Sequence, residues 1–177
     1  MDTTQNDDAK TTIGVLRRLR QVRQFSDQAV PDDVITDILE VGRWTGSGMN
    51  RQPWEFVLVH NPATLQQIAQ EEGKGSHLAR AKFAVVVVMD GDGMIETYDE
   101  ARLVERMMLA AAAHGVAAGV WWFKDGGAAA KHLLGIPAAK NVRSAISFGY
   151  PADSGAGGSS TSGGRKPLSE LVHQERY

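Results

Sequence analysis

The chain contains no cysteine. Disulfides, thiolate nucleophiles and cysteine-ligated zinc or iron–sulfur centres are thereby excluded, so any redox chemistry must be carried by a bound cofactor. An excess of either charge is missing too: 19 basic residues against 21 acidic ones leave a formal net charge of -2 and a pI near 6.2. Nothing in that balance draws in nucleic acid or an anionic membrane, and a small soluble ligand is the better expectation. No apolar run approaches the ~18 residues of a membrane span, and the first ten residues are polar and acidic, unlike a signal peptide. A cytoplasmic location is the default. The five histidines show no metal-ligand spacing, and no Ser-His-Asp set or carboxylate pair is evident.

What is present describes one domain. At 177 residues with 42% hydrophobic content, the chain buries one good core. Residues 1–10 read as a disordered tail and 11–177 as a single domain. Ile13, Leu16, Leu19 and Val22 recur every three positions, one stripe of a helix, with Arg17, Arg18, Arg20 and Arg23 over the rest of its surface. Pro31-Asp32-Asp33 opens a second helix, since proline fits a first turn and carboxylates suit the positive end of the dipole. Asn61-Pro62 opens a third, with Leu65, Ile68 and Ala69 facing inward, and Lys74 follows as a surface lysine.

Phe83 to Met89 is continuously apolar and rich in β-branched residues, a strand buried on both faces in the middle of a sheet. Tyr98 to His114 is the longest helical candidate, about 26 Å if fully helical. Its alanines permit close approach of another helix or subunit, Gly115 stops it, and His114 suits the negative end of its dipole. Ala118–Phe123 and Ala145–Gly149 supply two more strands. Five Gly and four Ser among residues 153–164 mark a flexible linker.

Between the second helix and the strand at Phe56-Val57-Leu58-Val59 lies Trp44-Thr45-Gly46-Ser47-Gly48-Met49-Asn50-Arg51-Gln52-Pro53-Trp54. Gly46 and Gly48 permit positive φ and close backbone approach to a flat ligand, and Asn50 and Gln52 each offer a donor and an acceptor. Such a loop suits an aromatic heterocycle with imide edges. Taken alone, a Gly/Ser/Asn-rich stretch here is most often only a connection.

The stretch resembles the Pro-Ser-Ser-x-Asn-x-Gln-Pro-Trp signature of the FMN-dependent nitroreductase family, with Gly46 in place of the proline and Gly48 in place of the second serine. Three further segments resemble the same family. Arg20-Gln21-Val22-Arg23-Gln24-Phe25 is similar to its Arg-Ser-Val-Arg-x-Phe motif, although Leu19 stands where a further arginine is usual. Arg165-Lys166-Pro167-Leu168 is similar to its C-terminal basic segment, and Gly115 to Trp122 is similar to its Gly-Leu-Gly-x-x-Trp strand.

The resemblance covers Arg17 to Val172 and implies an α+β fold: a three-layer α/β/α sandwich with a mostly antiparallel sheet, built as an intertwined homodimer. Pattern alone, strands alternating with helices, suggests a parallel doubly wound sheet instead, but the Gly-x-Gly-x-x-Gly turn of a dinucleotide fold is missing. The family's cofactor is FMN. The resemblance places Arg20, Gln21, Arg23, Gly46, Ser47, Gly48, Asn50, Phe123, Lys124, Arg165 and Lys166 around it, with Lys74 as a further contact in some members. It implies ping-pong hydride transfer from NAD(P)H through flavin N5 to nitroaromatic, quinone or similar acceptors, with Arg23 tuning the flavin and no catalytic side chain required. Alternatives are a non-catalytic flavin or deazaflavin carrier and an oxygen-using or dehalogenating member. The linker then acts as a tether that brings Arg165 and Lys166 to the flavin phosphate.

Overall fold

Four stretches with apolar faces set the layers. In the computed structural model, which describes residues 3–71, 77–152 and 164–177, the chain runs α1 (Thr3–Arg18), α2 (Asp32–Arg43), β1 (Trp54–Val59), α3 (Pro62–Glu71), β2 (Phe83–Met89), α4 (Met94–Ala113), β3 (Ala117–Trp122), α5 (Ala128–Leu134) and β4 (Asn141–Gly149). The strands form one sheet in the order β1-β2-β4-β3, and all three pairings are antiparallel. Strand β2 is central and buried along its whole length, as its continuous apolar run requires.

Because side chains alternate along β2, the sheet feeds two cores. Phe83, Val85, Val87 and Met89 face α2 and α4, meeting Ile38, Leu103, Met107 and Ala111. Ala84, Val86 and Val88 face α3 and α5, meeting Leu65, Ile68 and Ala130. The result is an α/β/α sandwich. Stacked Phe83 and Phe148 rings, 4.6 Å between centroids, tie β2 to β4 inside the first core. Helix α3 starts as its sequence demands: Asn61 Oδ1 accepts the N–H groups of Ala63 at 2.8 Å and Thr64 at 3.4 Å.

Three expectations change. Helix α1 begins at Thr3 rather than Thr11, so from Thr3 on the presumed tail of residues 1–10 is helical. No Gly or Pro interrupts Thr3–Lys10, and Lys10 pairs with Asp7 one turn back at 3.8 Å. The apolar stripe of α1 is also only partly used: Ile13 and Leu16 remain 46% and 48% exposed within a single chain. Helix α4 begins at Met94, a turn before Tyr98, with Gly93 as its N-cap. Glu96, at the third helical position, folds its carboxylate back beside Gly93, so that a Cβ there would lie 2.6 Å from Oε2. Of the expected linker at 153–164, residues 153–163 lie outside the described residues, as does Lys74. Among the described residues, no helix is long and apolar enough to cross a membrane.

Candidate functional site

Segment 20–25 leaves α1 and runs beside β3. The Val22 N–H donates to the Ala118 carbonyl at 2.8 Å, and the Gln21 side-chain oxygen accepts the Val120 N–H at 3.2 Å. Farther along, Ser26 N–H donates to Tyr150 O and Ala152 N–H to Gln24 O. The exposed backbone edge of β3 is thus covered by the arginine motif. Gly119 permits the approach: a Cβ there would lie 2.6 Å from the Val22 carbonyl oxygen. Arg20 folds back on the helix it follows, donating from Nη1 to the carbonyls of Arg17 at 2.9 Å and Leu19 at 2.7 Å. Among the described residues, no hydrogen bond or ion pair engages the exposed Arg23 guanidinium.

Under this edge sits a residue that the sequence did not flag. His77 is buried, with Nδ1 2.7 Å from Ser147 Oγ, Nε2 3.2 Å from the Val120 carbonyl and its ring edge-on to Trp121. The Ser147 hydroxyl lies 3.0 Å from the Gly119 carbonyl as well, so its one proton serves either that oxygen or Nδ1. Burial pushes the His77 pKa below the ordinary 6.5; the Val120 hydrogen bond opposes this and the Arg23 charge adds to it. The ring is held neutral in the native state, while the unfolded chain takes up a proton at its ordinary pKa. Stability therefore falls as pH drops through about 6.5 toward the lower native pKa, because the unfolded state there binds more protons. Unfolding midpoints measured across that window should decline in the parent and decline less in His77→Gln; an equal decline would assign the dependence to other groups.

The 46–52 loop is built differently from expectation. Gly46 and Gly48 do not adopt positive φ; Met49, Asn50 and Gln52 do, at 53°, 56° and 49°. A left-handed non-glycine residue costs about 1–2 kcal/mol, least for Asn, so the loop stores strain that its surroundings must offset. The glycines serve space instead. A Cβ on Gly48 would meet Ile95 at 3.0 Å, and one on Gly46 would meet Arg102 at 3.2 Å. Helix α4 supplies the restraint: Asp99 Oδ2 accepts the Gly48 N–H at 3.1 Å, and Glu96 Oε1 accepts from Arg51 Nη2 at 2.6 Å. Ser47 Oγ accepts the Gln52 N–H at 2.8 Å. Met49 stands 85% exposed, and among the described residues no partner engages the exposed Asn50 carboxamide.

The two segments do not meet within one chain. The loop leads into β1 and the arginine motif flanks β3, the opposite edges of a four-stranded sheet, roughly 14 Å apart at three strand spacings. Phe123 is a core residue whose N–H is taken by the Arg143 carbonyl at 2.8 Å, and Lys124 beside it is exposed. Arg165 and Lys166 are exposed in the C-terminal segment, without a hydrogen bond or ion pair to the other candidates among the described residues.

With this arrangement established, comparison with known proteins is decisive. The model of the nitroreductase family matches residues 16–101, which span the arginine motif, the loop and the start of α4. A protein of Archaeoglobus fulgidus, provisionally named NADH dehydrogenase/NAD(P)H nitroreductase, is 32% identical over 142 residues, covering 76% of this chain and 82% of that protein. The chain belongs to the nitroreductase family. A solved nitroreductase of Desulfovibrio desulfuricans, in complex with FMN, superposes on this nitroreductase-family chain with a TM-score of 0.75 at 29% identity, covering 94% of this chain and 97% of that one. An iodotyrosine deiodinase of Haliscomenobacter hydrossis is 39% identical over 64 residues, 34% of this chain and 29% of that protein.

Proposed function

We propose that the protein is an FMN-dependent NAD(P)H oxidoreductase that works as a homodimer. The observation that carries this reading is the pair of family motifs whose donor groups, the Arg23 guanidinium and the Asn50 carboxamide, have no hydrogen-bond or ion-pair partner among the described residues and sit at opposite sheet edges. A two-fold dimer that sets the loop of one protomer against the arginine motif of its partner would join them into two equivalent sites. The donor set suits a flavin mononucleotide: guanidinium groups for a phosphate and a pyrimidine edge, amide and hydroxyl groups for the imide side of a flat ring.

Bound FMN supplies the redox chemistry, passing hydride equivalents from NAD(P)H to a nitroaromatic, quinone or similar small acceptor in a ping-pong sequence. In this reading, Arg20 and Arg23 hold phosphate and ring, and Gln21 fixes the strand edge that carries them. Gly46, Ser47, Gly48 and Asn50 present the partner's loop, and Lys124 closes the β3 end beside Phe123. Arg23 would lend its positive charge to the ring, a contribution to tuning rather than to proton transfer. The test is the visible spectrum of FMN-reconstituted protein: bleaching by NAD(P)H and recovery with a quinone or nitroaromatic, on a species that sediments as a dimer. Protein that shows no flavin band and no calorimetric FMN binding would end the reading. Flavin binding without NAD(P)H oxidation would mark a carrier.

The deiodinase likeness favours a second reading, reductive dehalogenation at the same flavin site. Iodide release from an iodinated tyrosine, with no turnover of quinones or nitroaromatics, would select it.

Arg165 and Lys166 are proposed to complete the phosphate grip that Leu19 cannot provide. Arg165→Ala should then weaken FMN binding roughly tenfold, about 1.4 kcal/mol, and leave riboflavin binding unchanged because riboflavin lacks the phosphate. Equal loss for both ligands, or none for either, would place Arg165 away from the phosphate.

A further inference from the structure

Three backbone positions of the 47–52 loop are left-handed without being glycine, and the loop is anchored outside itself at two points. Both anchors are carboxylates of α4. Asp99 is 3% exposed and Glu96 8%, so neither faces solvent as a surface acid ordinarily does. Asp99 takes the Gly48 N–H immediately before the left-handed pair Met49-Asn50, and also lies 3.4 Å from Arg102. Glu96 takes Arg51, which sits between the left-handed residues Asn50 and Gln52. The strained residues are thus bracketed by bonds to one helix.

That helix is itself fixed. Glu100, one residue past Asp99, accepts the Ser144 hydroxyl at 2.6 Å and Arg143 at 3.3 Å on β4. The path runs from sheet to α4 to loop with a charged or hydrogen-bonded contact at each step. An unanchored loop with this φ pattern would relax toward ordinary backbone conformations, and Asn50 would no longer be presented in one orientation.

We propose that Asp99 and Glu96 are positioning residues that hold the 47–52 loop in its left-handed form before ligand binds, so that Asn50 and Ser47 meet the ring preorganised. This rests on the flavin reading above. Preorganisation acts on affinity by removing the ordering cost at the moment of binding. Both acids are buried and bonded to the loop, so their effect passes through it.

The experiment combines amide exchange on the flavin-free full-length protein with FMN titration. In Asp99→Ala, exchange at Gly48 and Gln52 should accelerate at least tenfold while β2 amides keep their protection, and the FMN dissociation constant should rise roughly 10- to 100-fold, the factor carried by a hydrogen bond to a charged group. Riboflavin should lose the same factor, because the loop serves the ring and not the phosphate. Asp99→Asn keeps an acceptor for Gly48 and should recover most of the loss, a rescue that a general packing defect would not give. Arg51→Ala, at an exposed side chain that does not endanger folding, should reproduce a part of the effect from the Glu96 side. Unchanged exchange in Asp99→Ala, or faster exchange with unchanged FMN affinity, overturns the inference while the flavin reading stands. A parent protein that binds no FMN removes the flavin reading, and the inference falls with it.

Discussion

Glu100→Ala should lower the unfolding free energy by about 3–5 kcal/mol, the range for removing one partner of a buried ion pair. Glu100 is 2% exposed and stands at the junction of α4 with β4, bonded to Ser144 Oγ and to Arg143 Nη1. Arg143 is there because of a bulge: Val87 pairs with Ser144 but Val88 pairs with Val142, so Arg143 is the extra residue that the register skips. The bulge aims its side chain at Glu100 and at the Asp92 carbonyl, 2.7 Å from Nη2, while its own carbonyl takes the Phe123 N–H. Truncation to Ala leaves Arg143 Nη1 and the buried Ser144 hydroxyl without their acceptor and opens a void between helix and sheet. In a chain of this length the loss should read as a fall of roughly 10 °C in Tm. Glu100→Gln keeps an acceptor for Ser144 and should lose less than half as much in denaturant titration. Equal losses in the two variants would show that volume, not the charged bond, holds the junction.

The sequence carried the middle of the molecule well because periodicity and burial act together there. Phe83–Met89 is both an uninterrupted apolar run and the fully buried central strand, and Leu65, Ile68 and Ala69 form the buried face of α3. Asn61 is legible for a local reason, since a cap needs only its own turn. What depended on distant partners was not legible. The acids at 96, 99 and 100 carry no local mark of their bonds to a loop and to a strand about 45 residues away. One signal was available: acids spaced three and four apart lie on the side of the helix that also carries Leu103 and Met107, where a solvated acid is out of place.

Gly46 and Gly48 permit positive φ by residue type, yet external anchors decide which residues of a strained loop bear it, and Met49, Asn50 and Gln52 do. His77 gave no sequence signal at all, because its importance comes from sitting between Val120 and Ser147, far from it in the chain. The half-used stripe of α1 is a different kind of case. Ile13 and Leu16 belong to an apolar stripe that a single chain covers only in part, and the proposed dimer would resolve this by covering them.

Gly119→Ala should cost about 2–3 kcal/mol of stability and weaken FMN binding at least tenfold, although it adds only one methyl group. Ordinary Gly→Ala changes at negative φ stabilise slightly by restricting the unfolded chain, so the sign here depends on space alone. The new Cβ would lie 2.6 Å from the Val22 carbonyl oxygen and 3.2 Å from His77 Cε1. Neither neighbour is a flexible side-chain tip: one is backbone and the other a buried ring bonded at both nitrogens. Segment 20–25 must therefore move off β3, breaking the Val22 to Ala118 and Val120 to Gln21 hydrogen bonds and displacing Arg20 and Arg23 with it. Gly115→Ala provides the contrast. Its φ is +70° and nothing lies within 4 Å of the added Cβ, so it should pay only backbone strain of about 1–2 kcal/mol and keep the parent's FMN affinity. Titration of both variants with FMN, alongside their denaturant midpoints, separates the two costs. If Gly119→Ala binds FMN like the parent, the arginine motif does not depend on its close seat against β3, and the cofactor contacts assigned to Arg20 and Arg23 lose their structural basis.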